Sequence, residues 1–181
     1  MIVSEELYKK EIAPKLQQAL GIKNPLATPR LEKIVVSMGV KDALTDKKNI
    51  EKGLQILSQL TGQRPKITQA KKSIATFKLR EGDQIGVVAT LRGKRMYDFY
   101  SKLVSVVFPR LRDFHGVERN KFDTKGNYTV GLNEYTVFPE IDPGKIDRIQ
   151  GLAITIVTTS KNNQEGLALL TALGMPFQKE G

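Results

Sequence analysis

Between positions 64 and 80 the chain carries six cationic side chains, Arg64, Lys66, Lys71, Lys72, Lys78 and Arg80, and no carboxylate. A second group, Arg92, Lys94 and Arg95, follows soon after. Ammonium and guanidinium groups neutralise phosphates and release condensed counterions, so this pattern is the chemistry of polyanion binding. A charged loop wetted by solvent is the plain alternative. The second group favours a binding face. Arg92 shares the polar side of an alternating stretch with Thr90, and Gln63 precedes the first group. A Gln amide and a Thr hydroxyl can hydrogen-bond sugars and bases where an ammonium only anchors phosphate.

Other chemistry finds little support. There is no cysteine, which excludes a disulfide scaffold, a thiolate zinc site, a Cys nucleophile and an iron–sulfur cluster. The single histidine, His115, falls in an expected loop and reads as a surface residue. Neither G-x-x-x-x-G-K-[ST] nor G-x-G-x-x-G occurs, and no G-x-S-x-G or H-E-x-x-H is present. No catalytic residue, metal or cofactor is therefore expected. Asn127-Tyr128-Thr129 fits a glycosylation pattern, but nothing at the N-terminus resembles a signal peptide, and the match reads as chance. Phe77 reads as a core residue rather than a base-stacking platform. With no Trp and no RRM-type aromatic octamer, any RNA bound here should be structured and read through backbone and shape.

The charge is unevenly placed. The 181 residues hold 29 Lys plus Arg and 19 Asp plus Glu, for a net charge of +10, and the pI is near 9.7. Residues 63–95 carry nine of the cations and two of the carboxylates. Residues 96–181 are balanced at ten of each. A solubility surface spreads its charge, whereas a face for a polyanion concentrates it. No apolar run reaches the roughly 18 residues of a membrane span. We expect one soluble domain over 1–181 in a reducing cytoplasm. It comprises an N-terminal helix over 4–20, a basic segment over 63–95 and a C-terminal half over 96–181 with protein-facing loops.

These residues need elements to hold them. Leu7, Ile12, Leu16 and Leu20 predict a helix that Pro14 kinks, or whose first turn Pro14 marks, and that Gly21 stops. Leu31 to Met38 predicts a strand. Ile50, Leu54, Leu57 and Leu60 predict a helix from Asp46, capped by Thr45 or Asp46, to Thr61. Ile74 to Leu79 reads as a strand. Ile85, Val87, Ala89 and Leu91 alternate with Gly86, Val88, Thr90 and Arg92, so one face is buried and the other is free to be basic. Lys94 to Val107 is a helix that Pro109 ends. Residues 127–138 suggest a hairpin, and Ile154 to Thr159 a strand. Asn162 with Glu165 suggests a capping box for the last helix. The order argues for an α+β fold: a mostly antiparallel sheet with helices on one face and an exposed, RNA-binding face.

The sequence also resembles a known family. Pro29-Arg30-Leu31-Glu32-Lys33-Ile34-Val35-Val36, Thr61-Gly62-Gln63-Arg64-Pro65, Ala70-Lys71-Lys72-Ser73-Ile74, Phe77-Lys78-Leu79-Arg80-Glu81-Gly82 and Val88-Ala89-Thr90-Leu91-Arg92-Gly93 are similar to runs of the universal ribosomal protein number five of the large subunit. Phe108 to Phe114, Gly126 to Gly131, Phe138 to Ile141 and Ile156 to Thr159 extend the match in order. Each run is weakly specific, but nine in collinear order are very specific.

The resemblance implies a non-enzymatic protein of the cytoplasmic ribosome. It would bind 5S rRNA and seat it in the central protuberance, beside large-subunit rRNA and the neighbouring 5S-associated proteins. It implies 5S rRNA contacts at Ser37, Gln63, Arg64, Lys66, Thr90, Arg92, Lys94 and Arg95. Ser37 stands where bacterial members usually have Asn. A loop with Lys71, Lys72, Ser73, Lys78 and Arg80 resembles the segment that reaches the P-site tRNA. Asp142, Pro143, Gly144 and Lys145 resemble a contact to small-subunit protein number thirteen. His115 and Thr124-Lys125 depart from the family pattern. Neither a homo-oligomer nor a membrane is implied. The competing readings are an RNA-modifying enzyme, which lacks a catalytic set, and a basic membrane-associated protein, which would want a basic amphipathic helix.

Overall fold

The structure, a computed structural model, describes residues 4–40, 43–44, 46, 48–112, 114–142 and 150–178. Five strands, β1 (Leu31–Gly39), β2 (Lys66–Gln69), β3 (Gln84–Leu91), β4 (Tyr128–Leu132) and β5 (Leu152–Thr158), form one antiparallel sheet in the order β2-β3-β1-β5-β4. The helical segments are α1 (Glu5–Leu7), α2 (Ala13–Ala19), α3 (Lys48–Thr61), α4 (Gly93–Lys102), α5 (Phe108–Arg110) and α6 (Asn163–Ala172). The fold is α+β, as expected. With α5 and β4 inserted before β5, the elements β1-α3-β2-β3-α4-β5 make a split β-α-β arrangement, a regularity that the sequence pattern did not reveal. The chain gathers into two compact units, one of residues 35–90 and 131–154, the other of residues 1–34, 91–130 and 155–181.

In the unit of residues 35–90 and 131–154, α3 lies on the sheet. Ile50, Gly53, Leu57 and Leu60 form its buried stripe. A Cβ added at Gly53 would stand 3.1 Å from Val40 Cγ2, 3.5 Å from Val87 Cγ2 and 3.8 Å from Met38 Sδ. The helix backbone therefore sits close on these side chains. The Asp46 carboxylate accepts from the Lys48 amide at 2.9 Å, as the expected cap does; Thr45 lies outside the described residues. Gly62, at φ +63°, ends the helix. Strands β2 and β3 pair Lys66 with Val88, Ile67 with Val87 and Thr68 with Gly86, and then slip so that Gln69 meets Gln84. That bulge leaves Ile85 out of the ladder, and it is 36% exposed rather than part of the buried face. The expected strand from Ile74 to Leu79 is instead a single bridge between those two residues, closed around a 3-10 turn at Ala75–Phe77.

In the other unit, Tyr8, Ile12 and Leu16 are buried, α1 packs on α4 and α2 packs on α6. The Tyr8 hydroxyl donates to the Pro29 carbonyl at 2.7 Å. Pro14 lies in the first turn of α2, the second of its two expected places. A π-helical turn, Tyr8–Ile12, precedes it, and α2 continues beyond it. The same device recurs at Pro109, where a π turn at Leu103–Val107 lets the helix run on to Arg110 instead of stopping. Proline lacks an N–H and its ring crowds the carbonyl four residues back; a wider turn relieves both. Residues 127–138 do not form a hairpin: β4 is one strand beside β5.

A turn at 123–127 is tied by the Asp123 carboxylate, which accepts from the Lys125 and Asn127 amides and from the Asn127 side chain at 2.8–2.9 Å. Slight burial pushes the carboxyl pKa up, but these hydrogen bonds and the Lys125 charge outweigh it and hold the value below normal. The Asn127 side chain also accepts from the Thr158 amide at 3.0 Å, so its amide serves the fold and the glycosylation pattern is incidental. Asn162 and Glu165 form the expected cap of α6.

Two stability tests follow from this packing. A Cβ on Gly166 would stand 2.6 Å from the Gly126 carbonyl oxygen. Helix propensity alone favours Ala by about 1 kcal/mol, yet Gly166→Ala should destabilise by about 1–3 kcal/mol in urea denaturation because backbone cannot yield as a side chain can. The fully buried Tyr100 hydroxyl has no hydrogen-bond partner among the described residues, and burial drives its pKa far upward. Tyr100→Phe should raise stability by about 1 kcal/mol. A loss of that size instead would reveal a partner for the hydroxyl.

Candidate nucleic-acid interface

Strand alternation decides which side chains reach solvent. Ile34, Val36 and Met38 on β1 and Val87, Ala89 and Leu91 on β3 are at most 2% exposed. Their neighbours Val35, Ser37, Val88 and Thr90 therefore turn to the opposite side of the sheet, where they are half-buried. Lys66 pairs with Val88, so its ammonium stem rises from that same side. Thr68, opposite Gly86, follows it. Within the unit of residues 35–90 and 131–154, this gives a floor of small and hydroxyl-bearing residues with cations above it.

Five of the eight residues expected to contact 5S rRNA, Ser37, Gln63, Arg64, Lys66 and Thr90, share this unit. The Gln63 Nε2 donates to the Thr90 carbonyl at 3.2 Å, which fixes the amide over the end of β3. Its other side-chain N–H and its side-chain oxygen make no hydrogen bond among the described residues. The Thr90 hydroxyl has no hydrogen bond among the described residues. Ser37 Oγ donates to the Ala153 carbonyl at a long 3.4 Å, so the hydroxyl leans on the sheet and offers mainly its lone pairs outward. Arg64 and Lys66 are exposed and make no ion pair among the described residues. Thr68 went unnoticed in the sequence because β2 is only four residues long and carries no clear alternation. Its pairing with Gly86 is the signal that places it.

The loop cations stand apart from this floor, beyond the end of β2 and β3. Ala70 N donates to Asp83 O at 2.8 Å and Gly82 N to Ala70 O at 3.0 Å, closing the base of a hairpin extension. Lys71, Lys72, Lys78 and Arg80 are exposed and make no ion pair among the described residues. The two nearby carboxyl residues do not neutralise them. The Asp83 carboxylate accepts from the Arg80 backbone amide at 2.7 Å. Ser73 Oγ accepts from the Glu81 amide at 2.9 Å, which makes it a tie within the extension. Phe77 overturns the expectation of a core residue. It is 71% exposed, because it lies on a 3-10 turn at the tip and not on a strand with an inward face.

Arg92, Lys94 and Arg95 belong to the other unit. Arg92 is the N-cap of α4 with no side-chain cap, and all three are exposed. Cations and unsatisfied N–H groups coincide here, against the preference of the helix dipole for negative charge. In the same unit, Lys9 and Lys10 pair with Glu5 and Glu6, and Lys121 with Glu118. Asp142 is exposed; Pro143, Gly144 and Lys145 lie outside the described residues. His115 is exposed. Among the described residues no cluster of His, Cys, Asp or Glu could hold a metal, and no helix is long and apolar enough to cross a membrane.

Two family models match the chain. One described as ribosomal protein L5 covers residues 24–80, and one described as the C-terminus of the same ribosomal family covers residues 84–177. A protein of Desulfatibacillum aliphaticivorans is 54% identical over 172 residues, covering 95% of this chain and 96% of its own. A protein of Anaeromyxobacter sp. (strain Fw109-5) is 52% identical over 174 residues, covering 96% and 97%. One of Latilactobacillus sakei subsp. sakei (strain 23K) is 52% identical over 175 residues, covering 97% of each. All three relatives are described as large ribosomal subunit protein uL5. With both halves matched in order and half of all positions identical over nearly the full length, the chain belongs to the ribosomal protein L5 family.

Proposed function

We propose that this chain, a structural and non-enzymatic component of the large ribosomal subunit in the bacterial cytoplasm, binds 5S rRNA and attaches it to the central protuberance. Ser37, Gln63 and Thr90 would hydrogen-bond sugars and base edges, Arg64 and Lys66 would neutralise phosphates, and Arg92, Lys94 and Arg95 would add phosphate contacts. The observation that carries this reading is the pairing of a hydroxyl- and amide-bearing sheet face with cations, Arg64 and Lys66, that form no ion pair among the described residues. An ammonium kept free of carboxylates can exchange condensed counterions for phosphate without first breaking an internal pair. Lys71, Lys72, Lys78 and Arg80 would meet the P-site tRNA, with Ser73 holding their loop. Residues 142–145 would meet small-subunit protein number thirteen, a reading supported by the family resemblance together with the balanced charge of residues 96–181.

The test is a titration against 5S rRNA and an unrelated folded RNA of equal length at two salt concentrations. Tight binding to 5S rRNA that survives the higher salt, with the control released, is expected. Equal and salt-sensitive binding to both would reduce the surface to a generic polycation. Arg64→Ala and Lys66→Ala should each lower the slope of log affinity against log salt by about 0.9. Gln63→Ala and Thr90→Ala should leave that slope alone and cost about 0.5–1.5 kcal/mol each. Lys71→Ala and Lys72→Ala should act on tRNA binding in ribosomes and not on free 5S rRNA. Ser73→Ala should speed hydrogen exchange at the Glu81 amide, whose acceptor it removes; unchanged exchange would return the Ser73 hydroxyl to the ligand.

A further inference from the structure

The tip of the 70–83 extension is built more firmly than a solvated charged loop requires. Ile74 and Leu79 exchange both backbone hydrogen bonds, at 2.9 and 3.1 Å. The Phe77 and Lys78 amides close the 3-10 turn between them at 3.2 and 3.0 Å. Lys78 holds φ +51° and is the one non-glycine residue with positive φ among the described residues. A left-handed lysine costs about 1 kcal/mol relative to ordinary backbone. The arrangement leaves Phe77 71% exposed and Ile74 43% exposed. An aromatic ring held in water, at the tip of an ordered turn, among cations with no ion pair among the described residues, has the chemistry of a surface for a π-face.

We propose that Phe77 stacks on an exposed nucleobase of the folded RNA that this extension meets, while Lys78 and Arg80 anchor the adjacent phosphates. The inference rests on the reading of the extension as an RNA contact and deepens it: on that reading the base belongs to the tRNA. A base held only by cations could slide along the backbone, because Coulomb attraction to a row of phosphates has no register. A ring seated on one base supplies that register, and every base has a π-face to offer. The strained Lys78 serves the same end, since it turns the chain sharply and holds Phe77 at the tip instead of letting it fold back.

The chain contains no Trp, so Phe77→Trp creates a single indole at the proposed contact. The full-length variant is first saturated with 5S rRNA, a step that reads the 5S assignment by itself, and deacylated tRNA is then added. Quenching of the indole by tRNA supports the proposal; quenching by 5S rRNA alone keeps the stacking but moves its source to the other RNA and overturns the tRNA assignment. In parallel, large subunits carrying wild-type, Phe77→Leu or Phe77→Trp protein are joined to small subunits, and tRNA affinity for the P site is measured at two salt concentrations. Phe77→Leu should weaken binding about tenfold with an unchanged salt slope, and Phe77→Trp should restore it. Equal tRNA affinity for Phe77→Leu and wild type overturns the proposal. So does an indole that neither RNA quenches but that shifts to the blue on phosphatidylglycerol vesicles, which would make the tip a membrane wedge. Failure of wild-type protein to bind 5S rRNA would sink the 5S reading and leave the ribosome measurement to decide Phe77.

Discussion

The seating of α3 on Met38, Val40 and Val87 governs the candidate interface. Gly53 lets the helix approach until its backbone nearly touches those side chains, and Val87 is left 1% exposed. Once Val87 points toward the helix, the period-two geometry of a strand sends Val88 and Thr90 the other way, and the pairing of β2 with β3 carries Lys66 with them. The positions of the candidate contact groups are thus set by buried apolar side chains. Burying residues such as Val87, Met38 and Leu57 is worth about 1.5–3 kcal/mol each. The repulsion between two exposed cations some 7 Å apart in water is only about 0.5 kcal/mol. Packing can therefore dictate where the charges go, and the cost of leaving them unpaired is small enough to bear.

The distribution of ion pairs points the same way. Along α1 and the turn after it, lysines meet glutamates one helical turn away. At the start of β1 Lys33 meets Glu32 at 4.0 Å, whereas on the hairpin extension the Asp83 carboxylate binds a backbone amide and the cations form no ion pair among the described residues. Exposed pairs add little stability, so their absence there takes little from the fold. What it changes is how readily the charges can be given to an outside anion.

Much of this was legible in the sequence. The stripe Ile50, Leu57 and Leu60, the stops at Gly21 and Gly62, and the Asn162–Glu165 cap all rest on local rules, and the structure keeps them, with Gly53 buried where Leu54 was expected. The acid-free run from 64 to 80 located the cations without any structure. Three things were hidden because they depend on partners distant in the chain or on backbone detail. Ile85 looks like a buried member of an alternating strand until the bulge opposite Thr68 and Gln69 removes it from the ladder. Pro109 looks like a break until a π turn carries the helix past it. Phe77 looks like core because aromatic residues usually are; only the 3-10 turn at the tip shows that it has no interior to enter.

The closed base of the hairpin extension has a consequence for how the family can change. The Ala70–Asp83 and Gly82–Ala70 hydrogen bonds tie the two ends of the extension together, so the length of what lies between them is independent of strand register. Inserting or deleting residues there would lengthen or shorten the reach of the tip while Lys66, Val88 and Thr90 keep their places. A single insertion within β2 or β3 would instead exchange the two faces of the strand beyond it. Lineages are thus free to vary the reach of the tip by indels, while the sheet face can be altered only by substitution.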